Sequence, residues 1–223
     1  MNMAKRVVSV GAHSLDAELM GGLALIQYAK QGAKCTFVHV TRGERGHKTL
    51  TQEEYGKQLL MENKKVAEVM GCDSHWMGYL AGKIPEEDIF TADLKKYFKE
   101  EGVDLVITHF SGSLHPRHIA THTAVTRAVR ELQSEGYHIK LYYGENCEDL
   151  IGFIPQVYIE YTQEEVNQWI KGLNEYEIFR GGINDMPYLN YYTTSLKIRQ
   201  VEAGTKLPTR GYMYASSIEK TLG

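Results

Sequence analysis

The sequence predicts an α/β, Rossmann-like fold: a mostly parallel sheet with helices on both faces. Short β-branched runs alternate with helical patterns, the order expected of strand–helix–strand units. One of those runs, Val103 to Thr108, is nearly all apolar, as a strand covered on both faces should be. The chain is 223 residues long with 43% hydrophobic and 24% charged residues, enough for one substantial core. The whole span 1–223 therefore reads as one domain, with no repeats, low-complexity segments or Ser- or Pro-rich linkers.

The elements follow in order. Arg6 to Val10 reads as the first strand. Leu15 to Gln31 reads as a helix, with Leu19, Leu23 and Ile26 on one face and Gly32 as its stop. Thr36 to Val40 is the second strand and runs into the glycine-punctuated loop Thr41 to Gly46. A long helix opens on the capping box Thr51/Glu54 and closes at Gly71. His75 to Tyr79 is a short strand, and a helix spans Thr91 to Lys99. After Val103 to Thr108, Pro116 opens a helix that reaches Leu132. His138 to Tyr143 and Gln156 to Glu160 are further strands, and Thr162 with Glu165 caps a helix that ends at Leu173. The tyrosine-rich last fifty residues give no clear pattern, and they either extend the sheet or make a subunit contact.

A formal charge of −3 without a basic stripe argues against a nucleic-acid partner, and no run is long and apolar enough to span a membrane. The N-terminus enters the first strand without a signal-like stretch, and Cys35, Cys72 and Cys147 are odd in number and far apart. A cytoplasmic location is expected.

In a sheet of this kind ligands bind beyond the carboxyl ends of the strands. Three loops there hold unusual residues: Gly11 to Gly22, Thr41 to Gly46, and His115 to His122. His13 and Asp16 are three residues apart at a helix start, so both side chains can converge on one point. Two imidazoles and a carboxylate drawn from two strand ends suit a catalytic zinc site with an open position. By spacing alone, a histidine at a helix start is more often a cap or a surface residue, and His118 with His122 forms a second candidate pair.

The chain resembles the LmbE-like/PIG-L family of zinc-dependent de-N-acetylases, which includes the deacetylases of mycothiol, bacillithiol and GPI-anchor biosynthesis. The family's Ala-His-Pro-Asp-Asp-x-Glu, followed by Gly-Gly, is echoed by Ala12-His13-Ser14-Leu15-Asp16-Ala17-Glu18 and Gly21-Gly22. Its Thr-x-Gly-Glu-x-Gly loop is matched by Thr41 to Gly46, and its His-Pro-Asp-His by His115-Pro116-Arg117-His118. Tyr142-Tyr143-Gly144-Glu145 is similar as well, so the resemblance covers most of the chain. It implies that His13, Asp16 and His118 hold Zn2+, or iron, which the same ligands suit. It also implies that His115 is catalytic and that the loop carrying Arg42 and Glu44 surrounds the substrate. The implied reaction is metal-dependent removal of an acetyl group from an N-acetylated amino sugar or sugar conjugate. The implied partner is a small-molecule substrate; relatives of this kind are often homo-oligomers.

Three departures remove acid. Leu15 replaces the family's general base, Arg117 replaces the aspartate of His-Pro-Asp-His, and Ala81 stands where an acid usually lies. Loss of a positioned base costs a factor of about 10² to 10⁴ in rate. A second reading is therefore a catalytically impaired homologue that keeps the metal and binds a small anionic ligand. Arg117 would meet such an anion, and if close to His115 it would also lower that histidine's pKa.

Overall fold

The computed structural model describes residues 4–215. Five strands run parallel: β1 (Arg6–Gly11), β2 (Lys34–Thr41), β3 (Asp73–Tyr79), β4 (Leu105–Thr108) and β5 (Lys140–Gly144). Each is followed by a loop at its carboxyl end, and the first four loops lead into α1 (Asp16–Lys30), α2 (Gln52–Met70), α3 (Glu87–Glu100) and α4 (Pro116–Ser134). The chain then adds β6 (Val157–Glu160), α5 (Gln163–Leu173), α6 (Tyr188–Ala203) and β7 (Thr209–Tyr214).

The strand order is β3-β2-β1-β4-β5-β7-β6. The chain builds outward from β1 to β3, then crosses back so that β4 lies on the other side of β1. The crevice between the ends of β1 and β4 is thus the point where the winding reverses, the place where such folds bind ligands. Alternating residues of each strand feed two cores. Val7, Phe37 and Ile107 pack under α1, α2, α5 and α6, whereas Val8, Val38 and Val106 pack under α3 and α4. Both faces are covered, as the fold class predicts. No helix among the described residues is long and apolar enough to cross a membrane.

Both capping boxes form: Thr51 and Thr162 accept from the backbone N–H of Glu54 and Glu165, whose carboxylates bond back. Differences are local. α3 begins at Glu87, ahead of Thr91, because Glu87 and Asp88 complement the positive end of its dipole. β4 begins at Leu105, since the Asp104 carboxylate instead accepts from the backbone N–H of Lys5 and Arg6. The unpatterned tail supplies α6 and the antiparallel β7, which inserts between β5 and β6. It extends the sheet. Tyr192 is 1% exposed in the core beneath it. Residues 216–223 lie outside the described region.

Candidate metal centre and substrate cleft

The first loop turns sharply where β1 ends. A Cβ on Gly11 would sit 2.5 Å from the Ala17 nitrogen, so only glycine lets α1 start this close to the strand. Leu15, the residue before α1, has φ 82°, a left-handed conformation that costs about 1–3 kcal/mol for a non-glycine residue. Its side chain is buried in the core below. The turn aims Asp16 back over the strand end, where its Oδ2 accepts from the His13 backbone N–H at 2.9 Å. The same oxygen lies 3.1 Å from His13 Nδ1 and 3.4 Å from His118 Nε2, and Asn146 donates to Oδ1 at 3.2 Å. His13, Asp16 and His118, expected together from the motifs, do meet at one point.

Asp149, fully buried in the loop after β5, organises the far side of this cluster. Its two oxygens lie 2.6 Å from His109 Nδ1 and 2.8 Å from His118 Nδ1. His109 Nε2 accepts from the Ala12 backbone N–H at 2.9 Å, so His109 carries its proton on Nδ1 and donates it to Asp149. His118 donates from Nδ1 in the same way and turns Nε2 toward Asp16. A carboxylate behind a histidine in this manner fixes its tautomer and orients it as a ligand.

Among the described residues, two groups of side chains have ligand atoms close enough to hold a metal ion, His13–His115–His118 and Asp16–His109–His118. The second is less apt than its distances suggest, because the only lone pair His109 could offer is already taken by Ala12. His115 packs beside the others, with ring centroids 5.0 Å from His13 and 4.4 Å from His118, and its buried Nδ1 has no hydrogen-bond partner among the described residues. His122 is turned away: its Nδ1 bonds the His109 carbonyl and its ring lies against Tyr143.

The electrostatics suit a cation. Burial opposes the Asp16 charge, yet His118 and His13 hold its carboxyl well below the usual range. Burial likewise opposes a proton on His118, but Asp16 and Asp149 outweigh it and push its pKa up to about 10. Carboxylates that hold a proton there would hold a divalent ion in its place. Two imidazoles and a carboxylate meeting at one point, His13, His118 and Asp16, are a donor set that fits a zinc-like metal. His115 is drawn down to about 4, first by burial and then by its histidine neighbours; Arg117 pulls the same way with a smaller effect.

Next to the cluster opens a cavity of about 370 Å³. Its lining includes His13, Leu15, Asp16, His115 and Glu148, and also Arg42, Arg45 and Arg117. Arg42 lies 4.3 Å over the Trp76 ring. Glu44 does not line the cavity: it is 3% exposed and its Oε1 accepts from the Ala81 N–H at 2.7 Å. Behind the first loop, Glu18 Oε1 lies 2.8 Å from His39 Nε2 and accepts from the Tyr176 hydroxyl at 2.9 Å, tying α1 to β2 and the tail. The motifs did not point to His109, Asn146, Glu148, Asp149 or Arg45. An available signal was position: His109 and the segment Asn146-Cys147-Glu148-Asp149 each follow a strand next to the reversal point.

The curated mycothiol S-conjugate amidase of Streptomyces coelicolor is 27% identical over 144 residues, 52% of this chain and 49% of that protein. The chain thus matches about half the length of that relative. Among solved structures, the 4-carboxy-2-hydroxymuconate hydratase GalB of Pseudomonas putida KT2440 superposes with a TM-score of 0.78 at 17% identity. That alignment covers 98% of this chain and 100% of GalB. The N,N'-diacetylchitobiose deacetylase of Pyrococcus horikoshii gives 0.78 at 16% identity, covering 95% of this chain and 84% of that one. At such identities the likeness is one of fold. The profile of the GlcNAc-PI de-N-acetylase (PIG-L) family, however, matches residues 8–129, which hold the first-loop, second-loop and His115–His118 motifs, and the chain belongs to that family.

Proposed function

We propose that this chain is a divalent-metal-dependent amide hydrolase that removes an acetyl or similar acyl group from an amino sugar or its conjugate. The observation that carries this reading is the convergence of His13 and His118 on one oxygen of Asp16, with His115 beside them. His13, Asp16 and His118 are the ligands in this reading, and zinc is the metal their chemistry suits best. When bound, such an ion polarises the acyl carbonyl and makes a bound water more acidic.

The chain's own residues would do the rest. Asp149 keeps His118 Nε2 turned into the site, and Asn146 holds Asp16. Leu15 can accept no proton. Besides Asp16, the carboxylate among the described residues of the cavity lining is Glu148, whose Oε2 lies 3.9 Å from His118 Nε2. It is placed to take the proton of the attacking water. His115, the remaining histidine of the cluster, is placed to hydrogen-bond the developing oxyanion or the departing amine.

One observation favours a second reading, a homologue that keeps the metal but not this hydrolysis: the buried aliphatic side chain at position 15. The mycothiol S-conjugate amidase and the P. horikoshii deacetylase act on amides by name, whereas GalB is a hydratase, so the fold alone fixes no reaction. The test is amine release from N-acetylated amino sugars by metal-analysed protein. The hydrolase reading expects release that chelation abolishes and zinc restores. Protein that binds about one zinc per chain yet releases no amine across a broad panel supports the second reading, and protein that binds no metal overturns both.

A further inference from the structure

We propose that the cavity is built for a substrate with an anionic group, a carboxylate or a phosphate, close to its scissile amide, held by Arg42, Arg45 and Arg117. The inference rests on the hydrolase reading for the bond that is cut, but not for the charge that is bound.

Three guanidinium groups line one cavity of about 370 Å³, against two carboxylates, Asp16 and Glu148. With Asp16 committed to the ligand cluster, Glu148 in the lining and Glu44 behind Arg42 are, among the described residues, the carboxylates set against three cations. The arginines do not neutralise one another's fields, and their carboxylate partners are few. Among the described residues Arg42 Nε is buried without a hydrogen bond, and an oxygen of the Glu44 carboxylate lies 4.0 Å away. Glu44 meanwhile gives its other oxygen to the Ala81 N–H. Arg45 and Arg117 make no hydrogen bond or ion pair among the described residues.

One of these groups is held in place, and a second is exposed but rests against the backbone. The Arg42 guanidinium is packed between the Trp76 ring at 4.3 Å and Gly56, where an added Cβ would sit 2.8 Å from Cζ. The Arg45 guanidinium lies against Gly82, where a Cβ would sit 2.5 Å from an Nη atom. Charged groups brought together without partners cost stability unless a ligand pairs them, and guanidinium groups match carboxylate and phosphate oxygens in shape as well as charge. A neutral sugar would leave three forks of donors half used.

The test is calorimetric titration of the zinc-loaded protein with three acetylated amino sugars in a phosphate-free buffer. These are N-acetylglucosamine, its 6-phosphate, and N-acetylmuramic acid, which carries a carboxylate. One or two hydrogen bonds to a charged group should make an anionic ligand about 10- to 100-fold tighter than the neutral one. The better of the two anionic sugars identifies the group the site takes. Arg45 is exposed and Arg117 half-buried, so the double variant Arg45→Ala/Arg117→Ala should fold and keep its zinc, checked by thermal melting and metal analysis. In it the preference should shrink to about threefold or less. Equal affinities in the wild-type protein overturn the proposal. So does a preference that survives in the double variant, since Arg45 and Arg117 would then not be holding the anion. Amine release without an anion preference sinks only this inference; a preference without amine release sinks only the hydrolase reading.

Discussion

Replacing Asp149 by Asn should weaken zinc binding by about 10- to 100-fold, although residue 149 is not itself one of the proposed ligands. The structure supplies the reason. The native carboxylate accepts from two imidazoles, His109 at 2.6 Å and His118 at 2.8 Å. An asparagine has one oxygen and one amide NH2, so it can accept from only one of them. His109 cannot change tautomer without losing the bond that its Nε2 accepts from Ala12. The amide oxygen therefore stays with His109, and the NH2 group faces His118 Nδ1. That contact is tolerated only if His118 moves its proton to Nε2, the nitrogen proposed to hold the metal. Binding a metal through Nε2 would then set two donors against each other at Nδ1. Losing a hydrogen bond to a charged group costs about 1.5–3 kcal/mol, which matches the expected loss in affinity. The assay is competition for zinc against a chromophoric chelator at pH 7.5, with circular dichroism to show that the variant folds. A folded variant whose zinc Kd lies within about twofold of the wild-type value would refute the assignment of His118 Nε2 as a ligand.

The other predictions address base, metal and core. Glu148→Gln should lower kcat by about 10² to 10⁴ with zinc content unchanged, and Leu15→Asp in that background should recover much of the loss; equal rates for Glu148→Gln and wild type would remove Glu148 from the mechanism. Stripping the metal should lower the melting temperature: zinc at 100 times its Kd contributes about 2.7 kcal/mol, or roughly 5–10 °C for a chain this size. Scanning calorimetry of the apo and zinc-loaded forms reads the difference directly. Glu62 is 7% exposed and burial raises its pKa above the usual value, despite bonds from Gln58 and the Glu177 N–H. A raised carboxyl favours the folded state below the unfolded pKa and loses that contribution as pH climbs through the folded pKa. Glu62→Gln should therefore gain stability relative to wild type between pH 4 and pH 7 in urea melts; a difference that is flat with pH would contradict this.

The fold was legible wherever local chemistry and global packing agree. The two capping boxes, the glycine stop after α2 and the apolar run of β4 each depend on residues adjacent in the chain. They announce their elements without reference to the rest of the molecule. β7 was not legible, because its identity is set by partners far away in sequence. Thr209–Tyr214 pairs with β5 on one side and β6 on the other, and nothing in its own pattern says which strands will flank it. The site divides the same way. His13, Asp16, His115 and His118 lie in short motifs. Asp149 and His109 act through a shared carboxylate that spans 40 residues, and no spacing rule reaches so far.

Leu15 shows what a motif reading leaves out. As a letter, it reports only a missing acid. As a residue at φ 82°, it is an aliphatic side chain in a conformation that glycine would adopt at less cost. Strain of this kind persists only where the surroundings over-determine it. Here they do so from both sides: the Leu15 side chain is fixed in the core, and the His13 N–H is fixed to Asp16 Oδ2 at 2.9 Å. This turn leads directly into Asp16, whose carboxylate lies within reach of both His13 and His118. A turn needed only to end a strand and begin a helix could relax at little cost. This one is held in the shape that keeps the proposed ligand set together, although the side chain at its centre can take no part in moving a proton.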